Sequence, residues 1–117
     1  MGIKRYNVNW DHQLDLVVEI DHDQVTDEFL HSINSFWSEA DDRLDDADNN
    51  VLNAVLKMLG QQCWELMIAN GFNTYGLIQE FNDREGWPDM DGSYGIKIIN
   101  CDALLFDISD ITVKEKA

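Results

Sequence analysis

Cations are scarce in this sequence: eight Lys and Arg stand against 23 Asp and Glu, a formal net charge of −15. A field of that sign repels nucleic acid and anionic membrane, so a partner recruited by charge is a basic protein surface. Proline is almost missing, with Pro88 alone, and no linker, repeat or low-complexity tract interrupts the chain. Only two cysteines occur, Cys63 and Cys101, both in apolar surroundings and without a CxxC pairing. Buried free thiols in a cytoplasmic protein are the expectation. The first ten residues, MGIKRYNVNW, lack the apolar core of a secretory signal. Tyr6 stands where a myristoylation signal wants Ser or Thr. No run is apolar enough for a membrane span, because Asn53, Lys57, Gln61, Gln62 and Glu65 interrupt the longest one.

Catalytic signatures are missing as well. There is no GxSxG, P-loop or GxGxxG. Cys63 sits within an apolar helical stretch, a setting that raises a thiol pKa and makes a poor nucleophile. The abundant carboxylates give no sign of a tuned acid–base pair, so no catalytic residue and no cofactor is assigned. Base-stacking platforms need basic neighbours, and Trp37, Trp64 and Trp87 have too few, so they are assigned to the core or its rim. The residues His12, His22 and His31 show no ligand spacing for a transition metal. For calcium, Asp46, Asp48 and Asn50 fit ligand positions 1, 3 and 5 of an EF-hand loop. Val51 and Lys57 then replace the required Gly and Glu, and Asp89–Ser93 also fails to complete the pattern.

What is present is a core. At 117 residues, 44% of them hydrophobic, the chain forms one domain, 1–117, able to bury a core without staples. Residues 3–10 and 14–20 alternate between apolar and polar, which predicts an antiparallel hairpin around Asp11-His12 with one face buried. Val25, Phe29, Ile33, Phe36 and Trp37 recur at helical spacing, predicting a helix over 24–38 with Asp23 as N-cap. Val51–Asn70 is apolar around most of its circumference and reads as the central helix, ending at a C′ glycine, Gly71. Asn73 caps a short helix over 74–82, and 83–95 is a loop pinned by Trp87-Pro88. Residues 95–101 and 108–114 are two further strands. The expectation is an α+β domain, order ββαααββ, with an antiparallel sheet of about four strands packed on about three helices.

From Asp11 to Asp48 thirteen acids meet one base, Arg43. The densest part is 38–50, SEADDRLDDADNN, with Leu44 as its apolar anchor. This segment either continues the preceding helix for a turn or two or forms a loop capped by Asp48 or Asn49. If helical, Asp41/Asp45 and Asp42/Asp46 are like-charge i,i+4 pairs, each destabilising by about 0.2–0.5 kcal/mol. The candidate partner-binding residues are therefore Glu39, Asp41, Asp42, Asp45, Asp46 and Asp48. Asp15, Glu19 and Asp21 form a second row on the hairpin. Carboxylates held roughly 5–7 Å apart on a folded surface resemble the charge row of a nucleic-acid strand. They can occupy the basic groove of a nucleic-acid-binding protein.

Two stretches carry a family resemblance: INSFWSEADDRL followed by NAVLKML (33–59), and REGWPDMDGSYGI (84–96). They resemble a family of small phage and prophage proteins classed only as a domain of unknown function. The resemblance spans nearly the whole chain and supplies no catalytic residue. It implies a mobile-element origin, a setting in which small acidic proteins commonly inhibit host restriction enzymes or CRISPR effectors. The leading expectation is a non-enzymatic nucleic-acid mimic of that kind, acting in the bacterial cytoplasm. Two alternatives stand beside it: a homodimer formed through the first helix and Trp37 or Trp87, and a divalent-cation-binding protein.

Overall fold

The computed structural model describes residues 2–103 and 108–116. Its order is β1 (Ile3–Trp10), β2 (Leu14–Asp21), α1 (Asp27–Phe36), α2 (Ala40–Asp46), α3 (Val51–Asn70), α4 (Thr74–Glu80) and β3 (Ile96–Cys101). Short 3₁₀ turns follow at Phe81–Asp83 and Ile108–Asp110. The α+β class holds, with three strands and four helices among the described residues in place of about four and three.

The sheet is antiparallel in the order β1-β2-β3. Cross-strand partners Tyr6–Val18, Val8–Leu16 and Trp10–Leu14 share one face, as the alternation requires. Leu14, Leu16, Val18 and Ile20 are buried on it, beneath the helical layer. At the hairpin tip Asp11 and His12 adopt left-handed φ of 50° and 59°. Asn9 Oδ1 steadies them by accepting the His12 amide at 2.8 Å.

The long helix α3 is the post of the fold. Asn50 Oδ1 caps its start by accepting the Asn53 amide at 3.0 Å. Gly71 ends it in the left-handed conformation, its amide donating to Met67 O at 2.9 Å. Val55, Leu59 and Cys63 are buried along α3 against Phe81, Leu77 and the sheet residues Ile96 and Ile98. Burying each such side chain stabilises by roughly 1.5–3 kcal/mol. Asn73 caps α4 through its Oδ1 and the Gly76 amide at 2.8 Å. Trp87 is buried and stacks edge-on against Phe81, with centroids 5.9 Å apart, which pins the 83–95 loop.

Three expectations are corrected. The cap of α1 is Thr26, whose Oγ1 accepts the Phe29 amide at 3.1 Å, and not Asp23. The chain becomes helical later because Val25, buried ahead of the cap, is fixed in the core. The helix also stops at Phe36, since Trp37 is extended (φ −100°, ψ 150°). Lastly, 108–114 forms no strand: Ile108–Asp110 is one 3₁₀ turn and 111–116 lacks regular structure. The outer edge of β3 is already taken. Ile98 N donates to Met90 O and Gly92 N to Ile96 O, both at 3.0 Å, so the 83–95 loop occupies the outer edge of β3.

Candidate functional site

The acidic segment is neither a plain extension of α1 nor a loop: it folds as a separate helix, α2. Glu39 enters it at φ 66°, while Asp48 and Asn49 leave it at 54° and 63°. Left-handed backbone costs roughly 1–2 kcal/mol per residue, less for Asp and Asn, so this bracketed helix needs an anchor. Arg43 supplies it. Its Nε donates to Asn34 Oδ1 at 2.8 Å, and its Nη2 to Asn34 O at 2.9 Å and Trp37 O at 3.2 Å. Nη1 donates to Ser38 O at 2.6 Å. Asn34, itself 2% exposed, closes the clasp by donating from Nδ2 to Ala40 O at 3.1 Å. The guanidinium therefore caps the open carbonyl end of α1 and ties α2 to it.

The consequence for charge is direct. The only cation in this segment is turned inward onto carbonyls, and none of the six carboxylates it accompanies forms an ion pair with it. Glu39, Asp41, Asp42, Asp45, Asp46 and Asp48 are all exposed. Beside them a groove of about 380 Å³ opens between β1 and the α2–α3 junction, lined by Tyr6, Asn7, Asp46, Asp48, Asn53 and Lys57.

The second row behaves differently. Asp15, Glu19 and Asp21 alternate with the buried residues of β2, so they face away from the helical layer that carries α2. The two rows are not one surface. The second is also satisfied locally. Glu19 accepts from Arg5 Nε at 3.2 Å and lies opposite Lys97, and Asp15 Oδ1 accepts from Asn9 Nδ2 at 2.7 Å. Asp21 accepts from Gln24 Nε2 at 3.1 Å and from the Asp23 amide at 3.0 Å. These bonds, the Gln24 side chain first, hold its pKa below the ordinary 3.8.

Other reactive groups are absorbed by the fold. Cys63 and Cys101 are free and buried. The hydrogen bond that the Cys63 thiol donates to Cys101 Sγ, and then burial, push the Cys63 thiol far up, so it stays protonated. His22 shares a 2.7 Å hydrogen bond with the Tyr6 hydroxyl. Among the described residues, no group of three or more His, Cys, Asp or Glu side chains is placed to hold a metal. Trp87 is buried and Trp37 half-buried in an aromatic cluster with Phe36, so Trp87 offers no exposed docking face. The indole N–H groups of Trp37, Trp64 and Trp87 are buried without a hydrogen-bond partner among the described residues. Each such group costs roughly 1–3 kcal/mol. Sequence patterning marked those rings as core but had no means of seeing that cost, nor the inward turn of Arg43.

No solved structure matches the chain. It is 45% identical over 119 residues to the "Lambda prophage-derived protein ea10" of Escherichia coli O6:H1 (strain CFT073), covering 97% of each chain. The same identity and coverage relate it to "Protein ea10" of Escherichia phage lambda. The family model described as "Protein of unknown function (DUF2528)" matches residues 15–113, taking in the whole α2 segment and its Arg43 clasp. The chain thus belongs to the DUF2528 family, with relatives encoded by a phage and by a prophage.

Proposed function

We propose that this protein is a non-enzymatic acidic binder that blocks the basic, nucleic-acid-binding surface of a host defence protein. Nucleic-acid mimicry is the mechanism, and an anti-CRISPR or anti-restriction role is the setting. One observation carries the reading: six exposed carboxylates sit on and around α2, while Arg43, their neighbouring cation, is committed to the carbonyl end of α1. A helix that holds like charges at i,i+4 spends stability on them, and a clasp that keeps it fixed pre-organises them for a cationic partner. The phage and prophage relatives supply a context in which a host protein is a natural target. Binding would release counterions from the partner's basic groove, as the displaced nucleic acid would, and so would weaken as salt rises.

The test is affinity capture from host lysate at low and high salt with competing DNA, repeated with a quadruple variant, Asp41→Asn, Asp42→Asn, Asp45→Asn and Asp46→Asn. The wild type should retain a basic protein that DNA displaces. The variant should bind at least about tenfold more weakly, with a flatter salt dependence. Its thermal stability should be equal or slightly higher, because two repulsive pairs are gone, which separates lost binding from lost folding. Undiminished affinity of the variant for the captured partner refutes the assignment.

A further inference from the structure

We propose that the cleft between α1 and the 83–95 loop receives an arginine side chain from a basic protein partner. This site rests on the reading above, since it names what that partner inserts. Its walls follow from the sequence in two steps. Phe29 and Phe36 stand seven residues apart on α1 and so share one face of the helix. The loop then crosses that face closely at Gly86, where an added Cβ would overlap the Phe36 ring. Only a residue without a side chain permits this approach, at φ +83°. What remains is an open cleft of about 380 Å³, near the small end of ligand sites (roughly 300–1,000 Å³) and suited to one side chain. Its lining includes the buried Trp87 and the half-buried Phe29 and Pro88. Phe36 and Tyr94 complete it at 55% and 54% exposure. Single exposed apolar residues need no explanation, but here four rings meet at one opening. Both stretches that carry the family resemblance supply walls, Phe36 from the first and Gly86 to Tyr94 from the second.

Charge selects the occupant. Asp89 is half-buried in the lining, and its carboxylate has no hydrogen bond or ion pair among the described residues. The lining contains no Lys or Arg. Glu28 and Glu85, next in sequence to Phe29 and Gly86, are exposed. The nearby base Arg84 is engaged by Glu80 at 3.1 Å. On a chain of −15 the cleft is therefore acidic, and an anionic or nucleotide ligand is repelled. A neutral apolar occupant would desolvate Asp89 without giving it a partner, which is costly. A cation satisfies both the carboxylate and the ring faces. Arginine fits better than lysine. Its planar guanidinium stacks on an aromatic ring while pairing with a carboxylate, and it is more weakly hydrated than an ammonium. Arginine is also among the residues that anchor protein interfaces. The cleft adjoins the acidic helix: Phe36 is the last residue of α1, and the Arg43 clasp ties α2 to that same end. The α2 acids would draw a basic surface in, and the cleft would hold one of its arginines.

An NMR titration of the full chain with N-acetylarginine amide tests the cleft apart from any host protein. The ring signals of Phe36 and Tyr94 and the indole N–H of Trp87 should shift together, with a Kd of roughly 1–10 mM. The citrulline counterpart has nearly the same shape without the charge and should bind at least about fivefold more weakly. Asp89→Asn should weaken arginine binding by at least about fivefold. Tyr94→Leu keeps apolar area but removes a ring face, and should weaken it by at least about threefold. Neither substitution touches a core side chain, so thermal melts should change little. The quadruple α2 variant should alter arginine binding by less than about twofold. Equal binding of citrulline, unchanged affinity in Asp89→Asn, or no shift up to about 50 mM arginine overturns the proposal. So do shifts confined to α2 that the quadruple variant abolishes, a result that leaves the acidic-binder reading standing. Conversely, shifts in the cleft together with undiminished capture of a host protein by the quadruple variant would keep this site and remove that reading.

Discussion

Replacing Arg43 tests whether its role is geometric or simply electrostatic. Arg43→Ala removes four donated hydrogen bonds, with distances between 2.6 and 3.2 Å. Bonds to a charged group contribute about 1.5–3 kcal/mol each in favourable cases, but they are not additive, and freed carbonyls near the surface rehydrate. The acceptor Asn34 Oδ1 fares worse, because Asn34 is 2% exposed and an unsatisfied buried acceptor costs about 1–3 kcal/mol. Loosening α2 from α1 adds a smaller loss. The expected destabilisation is about 2–4 kcal/mol, or roughly 10–20 °C in Tm for a domain of this size. Arg43→Lys separates the two accounts. A lysine keeps the charge among six carboxylates but cannot reach Asn34 Oδ1, Asn34 O, Trp37 O and Ser38 O together. It should therefore recover less than about 1 kcal/mol, and the loss should change little between low and high salt. Urea unfolding of wild type and both variants at two ionic strengths measures this. A lysine variant as stable as wild type, or a loss that vanishes in high salt, refutes the clasp and makes Arg43 an ordinary counter-charge.

Gly86→Ala should destabilise by about 2–4 kcal/mol in thermal melts. Its φ is +83°, and a Cβ would overlap the Phe36 ring and come within 2.8 Å of Trp37 Cζ2. A neutral result would mean that the aromatic cluster yields. Asp91 accepts from the Ser93 hydroxyl at 2.6 Å and the Ser93 amide at 2.9 Å, which holds its pKa below the ordinary 3.8. A depressed carboxylate stabilises the fold above that ordinary value and loses its contribution as pH falls through the depressed one. Asp91→Asn should thus narrow the gap to wild type as acid unfolding proceeds below about pH 4, and a constant gap across pH would contradict it.

Much of the architecture was legible because it follows from local chemistry. Strict alternation gave the β1–β2 hairpin, Asn73 and Gly71 gave their helix ends, and the apolar circumference of 51–70 gave α3 with both boundaries as observed. Where several residues could do the same local job, the choice was tertiary. Asp23 and Thr26 are both competent caps, and Thr26 was selected by the burial of Val25 beside it. Asp48, Asn49 and Asn50 compete similarly ahead of α3, and Asn50 caps because the other two are consumed by the left-handed exit from α2. Residues 108–114 have strand-like composition, yet propensity supplies no partner, and the outer edge of β3 is taken by Met90–Gly92.

The candidate site divides along the same line. Sequence alone determined that the chain is strongly acidic, that its acids concentrate between Asp11 and Asp48, and that a buried post follows directly. These are properties of composition and period, fixed before folding. Only the tertiary structure decided which carboxylates stay free. It turned Arg43 inward through a contact nine residues away with Asn34, left six acids exposed around α2, and sent Asp15, Glu19 and Asp21 to the other face among their own partners. Charge is written residue by residue, but neutralisation depends on distance, and distances across elements are set by packing.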